Sequence, residues 1–85
     1  MVMNPACKTC LDQTCATSKN ACKADPTCAT GDSTLGPCIC NAQMMSTNQK
    51  AAQDTCLSQF TAMGNLQMAY ATCIQQMCNT ECLVN

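Results

Sequence analysis

The chain contains no histidine, arginine or tryptophan, and only one phenylalanine and one tyrosine. Its 85 residues carry four lysines against five carboxylates, for a net charge of −1. Each shortage excludes something. Without histidine, a serine or cysteine nucleophile lacks its usual base. The carboxylates Asp12, Asp25, Asp32, Asp54 and Glu81 are scattered rather than paired at helical spacing, so hydrolysis has no constellation to work with and the chain reads as a non-enzyme. Without arginine, a basic stripe or stacking aromatics, nucleic-acid binding loses both its electrostatic and its stacking terms. No apolar run approaches the ~18 residues that span a bilayer, and Met1-Val2-Met3-Asn4-Pro5 has no signal-peptide apolar region, so a mature secreted chain without a transmembrane segment is expected. No Asn-x-Ser/Thr acceptor is present, and N-glycosylation is not expected.

What is abundant is cysteine. Eleven occur, at Cys7, Cys10, Cys15, Cys22, Cys28, Cys38, Cys40, Cys56, Cys73, Cys78 and Cys82. In a chain this short that density reads as a disulfide scaffold of an oxidising compartment, secreted or at the cell surface. Large apolar side chains are few: Leu11, Leu35, Leu57, Leu66, Leu83, Ile39, Ile74, Val2, Val84, Phe60 and Tyr70, with seven methionines beside them. A core of this size supplies only about 3–5 kcal/mol, so cross-links are expected to dominate stability, and Phe60→Ala to cost less than loss of a disulfide joining the terminal helices. The odd count leaves one thiol over after five pairs. Cys28, Cys38 and Cys40 in the expected loop, and Cys82 near the terminus, are the most accessible by position; because cysteines near chain ends are easiest to share with a neighbour, Cys82 or Cys7 is the expected intermolecular cysteine. Pairings can be drawn in on the order of ten thousand ways, so connectivity stays open.

The pattern predicts one all-α domain over residues 1–85, a disulfide-rich bundle of about three helices with an irregular cysteine-pinned loop. Asn4-Pro5 supplies an N-cap followed by proline at the first helical position. A first helix is expected over residues 5–24, with Leu11, Cys15, Ser18 and Cys22 on one face and Asp25-Pro26 as its end. Residues 25–41 contain Pro26, Gly31, Asp32, Ser33, Gly36 and Pro37, turn chemistry that predicts an irregular connection, with room for a short helical turn around Thr27 to Thr30, pinned by Cys28, Cys38 and Cys40. A second amphipathic helix is expected over about residues 43–63, through Met45, Ala52, Cys56, Phe60 and Met63. Gly64-Asn65 then links it antiparallel to a third, carrying Leu66, Tyr70, Cys73 and Met77 and running to about Cys82.

One stretch is echoed. Thr9-Cys10-Leu11-Asp12-Gln13-Thr14-Cys15 and Thr72-Cys73-Ile74-Gln75-Gln76-Met77-Cys78 share the form T-C-aliphatic-x-Q-x-C. Cysteines five apart on a straight helix point about 140° from one another, so each pair is expected to reach two different neighbours. At least one disulfide should tie the terminal helices to each other or to the central segment. The order C-x-x-C-x4-C-x6-C-x-x-D-x-x-C over Cys7 to Cys28, with Y-x-x-C-x4-C-x3-C over Tyr70 to Cys82, resembles the cysteine-rich secreted and surface proteins of myxobacteria and related Deltaproteobacteria. That resemblance implies export, disulfides and a helical fold, and no activity. More loosely, Pro5-Ala6-Cys7, the spacing of Cys10 and Cys22, Asp32 before Cys38-Ile39-Cys40, and Cys56 and Cys73 are similar to the CFEM domains of fungal surface proteins, with extra cysteines at 15 and 28. In that family the aspartate before C-x-C can ligate haem iron, which makes Asp32 the corresponding residue.

Other chemistry is weaker. Cys7-Lys8-Thr9-Cys10 at a helix N-terminus has the spacing of a redox-active pair, but no βαβ pattern surrounds it, and a structural role is expected. Eleven thiols and seven thioethers would suit Cu(I) if reduced; in an oxidising compartment disulfides consume them. Met44, Met45, Met63, Met68 and Met77 read as core filler. No cofactor or metal is therefore expected. The leading function is a non-enzymatic secreted building block, a homo-oligomer or fibre joined through an intermolecular disulfide, since near-zero net charge favours association and a non-closing interface propagates. The alternatives are a monomeric extracellular binding or signalling module using residues 29–41 as its contact surface, and a thiol-rich Cu(I) or haem-binding protein.

Overall fold

The computed structural model describes residues 5–84. They form six helices: α1 (Pro5–Gln13), α2 (Ala16–Ala24), α3 (Pro26–Gln43), α4 (Gln49–Thr61), α5 (Asn65–Met77) and α6 (Asn79–Cys82), with no strand among the described residues. The all-α, disulfide-rich expectation stands; three helices understates the number. Helix α1 opens at Pro5 as the sequence predicts, while the Asn4 cap and Val2 lie outside the described residues.

The first expected helix is interrupted at Cys15, and the last at Cys78. Both residues leave helical geometry in nearly the same way, with φ −107° and ψ 19° at Cys15 and φ −122° and ψ 22° at Cys78. Each is the second cysteine of the echoed motif. Beyond each corner the helix resumes at once, since the Cys15 carbonyl accepts from the Lys19 amide at 2.8 Å and the Cys78 carbonyl from the Cys82 amide at 2.9 Å. The chain thus ends in two matching helix–corner–helix units.

The largest departure is α3, an 18-residue helix where an irregular loop is expected. Asp25 does end α2, as the residue before a proline should. Its extended backbone then serves as N-cap of the next helix: Asp25 Oδ1 accepts from the Cys28 amide at 3.0 Å, and Pro26 occupies the first turn, where a missing amide costs nothing. Gly31, Gly36 and Pro37 weaken the helix interior. Burial offsets them, because Cys28, Gly31, Leu35, Ile39 and Ala42 are all buried at helical steps. Thr30, Ser33 and Thr34 turn their hydroxyls onto the carbonyls of Pro26, Ala29 and Thr30, four residues back, and so add no unpaired polar groups. Gly31 marks a close approach: a Cβ there would sit 3.2 Å from Met63 Sδ and 3.3 Å from the Phe60 ring, so the flexible Met63 tip and the ring would have to give by a few tenths of an ångström.

One buried cluster draws on all six helices. It contains Leu11, Leu35, Ile39, Leu57, Phe60, Tyr70, Ile74 and Leu83 together with eight of the ten paired cysteines, while the partly buried Cys38 and Cys73 pack against it. Phe60 and Tyr70 meet edge to face with centroids 6.3 Å apart, a favoured aromatic geometry. The methionines are not core filler: Met44, Met45, Met63, Met68 and Met77 are 43–76% exposed. The true stripe on α5 runs through Gln67, Tyr70, Ala71 and Ile74, about one residue away from the expected stripe, which turns Leu66 and Met77 outward.

The chain end is fixed by amides. Gln53 is 1% exposed; its Nε2 donates to the Val84 carbonyl at 3.0 Å and its Oε1 accepts from the Val84 amide at 3.1 Å. Gln43 Nε2 donates to Gln53 Oε1 and to the Cys82 carbonyl, each at 2.9 Å. A glutamine here takes the place of a paired strand for residues 82–84, and it brings the start of α4 against the end of the chain.

Candidate functional site

Three features could carry function: the sulfur ladder between the chain ends, the unpaired cysteine, and a groove between α3 and α4. Five disulfides form, Cys7–Cys82, Cys10–Cys78, Cys15–Cys73, Cys22–Cys28 and Cys38–Cys56. The first three join the two terminal units as antiparallel rungs. Within them, the interior cysteine of each echoed motif bonds the corner cysteine of the other: Cys10 to Cys78 and Cys73 to Cys15. Cysteines five apart thus do reach different partners, as expected, but both partners belong to the opposite terminal unit, because the corner at Cys15 turns the second cysteine back toward α5, and the expected tie between the terminal helices is present three times over. The Cys7 and Cys10 pair likewise do not bond each other.

All eleven cysteines lie within the described residues, and Cys40 is the one outside a disulfide. Cys82 and Cys7 are not intermolecular cysteines, since they bond each other and are 3% and 1% exposed. Position near a terminus does not mean exposure here, because the two ends are each other's cover. Cys40 sits within α3 and is partly exposed.

Charged groups gather at the first corner. Lys8 Nζ lies 2.7 Å from Asp12 Oδ2, and Lys19 bonds the other Asp12 oxygen. The Lys19 hydrogen bond, followed by that of Lys8, lowers the Asp12 carboxyl to about 2. This ion triad spans α1 and α2 and braces the bend. Asp32, half-buried on α3, has its pKa raised by desolvation, against the opposing pull of Lys19 and Lys23. Burial, with a smaller contribution from the Asp32 charge, pushes the Tyr70 phenol well above its usual value. Among the described residues no group of three or more cysteine, aspartate or glutamate side chains is arranged to hold a metal ion. Cys38, which follows Asp32 in the C-x-C, is bonded to Cys56.

Between α3 and α4 lies an apolar cavity of about 170 Å³ lined by Gly31, Leu35, Phe60 and Met63, with the Cys38–Cys56 disulfide at one end. Across that disulfide it opens into a shallower depression of about 400 Å³ flanked by Ala42, Met45, Ala52 and Thr55. No charged side chain lines either part. The groove uses residues 30–42 of α3, a run of about 18 Å at the helical rise, with Met45 just beyond the helix end. Its signal was present in the sequence: Cys28, Gly31, Leu35, Ile39 and Ala42 follow steps of three, four, four and three, concealed by the turn-forming residues between them.

No family model, curated protein or solved structure matches the chain. Nor is any helix among the described residues long and apolar enough to cross a membrane.

Proposed function

We propose that the protein is a secreted, non-enzymatic binding module whose α3–α4 groove takes a single unbranched aliphatic chain. The carrying observation is the uncharged groove over the Cys38–Cys56 bridge. Its narrower, half-open part of about 170 Å³ is of the size that accepts a short alkyl segment, an apolar cavity of ~150 Å³ being large enough for a benzene ring, and the shallower part lets the remainder of a chain continue. Met63 and Met45, 50% and 43% exposed, form a rim of flexible side chains that can follow a ligand's outline. Residues 29–41, the contact segment of the binding-module reading, supply one wall as a helix. The test is methyl NMR of the methionines during titration with 1-decanol. Met63 and Met45 should shift while Met68 and Met77 on α5 do not, and Gly31→Leu should abolish the shifts with the helical circular dichroism retained; shifts spread evenly over all four, or none, would overturn the reading.

The building-block reading keeps one observation in its favour, the partly exposed thiol of Cys40. With Cys82 and Cys7 bonded to each other, any covalent joining of copies runs through α3. Non-reducing mass measurement of protein from its native source decides: a multimer that collapses on reduction, and that Cys40→Ser prevents, supports assembly, and a monomer with one alkylatable thiol removes it.

A further inference from the structure

The two central rungs of the ladder touch. Cys15 Sγ lies 3.8 Å from Cys78 Sγ, although each is bonded elsewhere, to Cys73 and Cys10. The four sulfurs therefore form a row in the order Cys73, Cys15, Cys78, Cys10, with non-bonded contact at its middle. Exposure along the row is uneven: Cys73 is partly exposed, Cys10 is 8% exposed, and Cys15 and Cys78 are 1% and 0% exposed. A thiolate attacks the disulfide sulfur it can reach, which in this row is Cys73.

We infer that the paired corners form a two-disulfide exchange relay whose substrate is a small-molecule thiol and whose modification site is Cys73. In the first step the incoming thiolate sulfur bonds Cys73 Sγ; the Cys15–Cys73 bond breaks and its electron pair leaves on Cys15 Sγ. That thiolate is buried and poorly solvated, and apart from the Cys73 sulfur it has just left, the disulfide sulfur in contact with it is Cys78 Sγ, 3.8 Å away. In the second step Cys15 Sγ bonds Cys78 Sγ; the Cys10–Cys78 bond breaks, its pair leaves on Cys10 Sγ, and Cys10 takes a proton from solvent. The Met77 carbonyl oxygen, 3.5 Å from Cys10 Sγ, is placed to accept the resulting S–H.

The balance closes. Two disulfides and one external thiol become a mixed disulfide on Cys73, a new Cys15–Cys78 bond and the Cys10 thiol, with no net change of oxidation state. A second molecule of the small thiol attacking the mixed disulfide releases the oxidised small-molecule dimer and leaves Cys73 as a thiol, so that two external thiols are oxidised and the protein gains two electrons. Throughout, the terminal units stay joined, by Cys7–Cys82 and then by Cys15–Cys78, which links the two corners directly. This inference does not depend on the groove.

The test uses the oxidised full chain carrying Cys40→Ser, so that the spare thiol cannot scramble the bonds. It is exposed to limiting glutathione, quenched with N-ethylmaleimide, and cleaved before Asp12 and after Met77, the residues that separate Cys10 from Cys15 and Cys73 from Cys78. Peptide masses should show glutathione on Cys73, maleimide on Cys10 and a Cys15–Cys78 link, with loss of the Cys10–Cys78 link. Maleimide on Cys15 with Cys10–Cys78 intact, or first attack by glutathione at Cys10, Cys38 or Cys56, would overturn the relay. Cys73→Ser provides a second reading, because it leaves Cys15 without its partner from the start. If it folds, the relay requires a Cys15–Cys78 bond and an alkylatable Cys10, and an intact Cys10–Cys78 bond with an alkylatable Cys15 contradicts it; if it does not fold, the glutathione trap alone decides.

Discussion

At the scale of single residues, two side chains carry more than their chemistry suggests. Phe60 is 2% exposed, meets Tyr70 edge to face and lines the groove. Truncating a buried phenylalanine costs about 3–5 kcal/mol, so Phe60→Ala should lower the urea midpoint strongly; a change within error would mean that the α3–α4–α5 contact contributes little. Gln53 is the second. Replacing it with leucine removes the partners of both the Val84 amide and its carbonyl as well as the acceptor for Gln43, and orphaned polar groups of this kind cost about 1–3 kcal/mol. Gln53→Leu should therefore destabilise despite its added apolar area, with hydrogen exchange rising selectively at residues 82–84. Unchanged exchange there would show that the glutamine is not what fixes the chain end. Asp32 works the other way. Its folded pKa is raised by burial, so its charged form opposes folding at neutral pH, and Asp32→Asn should stabilise at pH 7 and lose that advantage once acid protonates the wild-type carboxyl.

At the scale of elements, the rungs are nested, and nesting sets what each contributes. Cys7–Cys82, Cys10–Cys78 and Cys15–Cys73 close sequence separations of 75, 68 and 58 residues, but once Cys10–Cys78 exists, Cys7–Cys82 adds only the small ring made by residues 7–10 and 78–82. In the chain-entropy account a ring of these nine residues is worth about 2.6 kcal/mol. Loss of one outer rung should thus cost about as little as an ordinary disulfide of short span, and less than Phe60→Ala, which reverses the order expected from composition alone. Paired serine variants in urea, compared with Phe60→Ala, check it. The corner beside these rungs is braced by the Lys8–Asp12–Lys19 triad. Because the folded Asp12 carboxyl is lowered from 3.8 to about 2, its contribution is complete above about pH 4 and is lost as the pH falls through about 2. Asp12→Asn should flatten the acid limb of the stability curve over that window; an identical limb would mean the triad braces nothing. The helical class and the tie between the chain ends were legible in the sequence, through helical spacing and the echoed cysteine motif. The corners were not, because a helix break at Cys15 or Cys78 has no glycine or proline to mark it and arises where two units must face each other. Helix α3 was hidden for the opposite reason: Gly31, Gly36 and Pro37 announce turns, and only burial against α4 overrides them. The groove went unseen with it, since one wall was read as loop. The spare cysteine was misplaced because sequence position says nothing of which ends cover each other.

At the scale of the whole molecule, the question is whether the helices can stand without sulfur bonds. The fold is compact, with a radius of gyration of 11.7 Å, close to the ~12 Å expected of a globular chain of this length. Yet a single core in a domain this small supplies only about 3–5 kcal/mol. The ring closed by Cys15–Cys73 encloses both Cys22–Cys28 and Cys38–Cys56, and closing it alone is worth about 4 kcal/mol in the chain-entropy account. With Cys10–Cys78 in place, however, opening Cys15–Cys73 alone releases only the ring of residues 10–15 and 73–78, about 2.8 kcal/mol, so the large ring is lost only when all three rungs open. Full reduction should abolish the cooperative melt and most of the helical circular dichroism, whereas removal of Cys7–Cys82 by paired serine substitution should leave a cooperative transition at a lower temperature. A fully reduced chain that still melts cooperatively would place the stability in helix packing and make the ladder a guard against opening rather than the cause of folding. Reduction by small thiols in graded amounts separates these, because the same protein should pass through a state with the outermost rung intact before it unfolds.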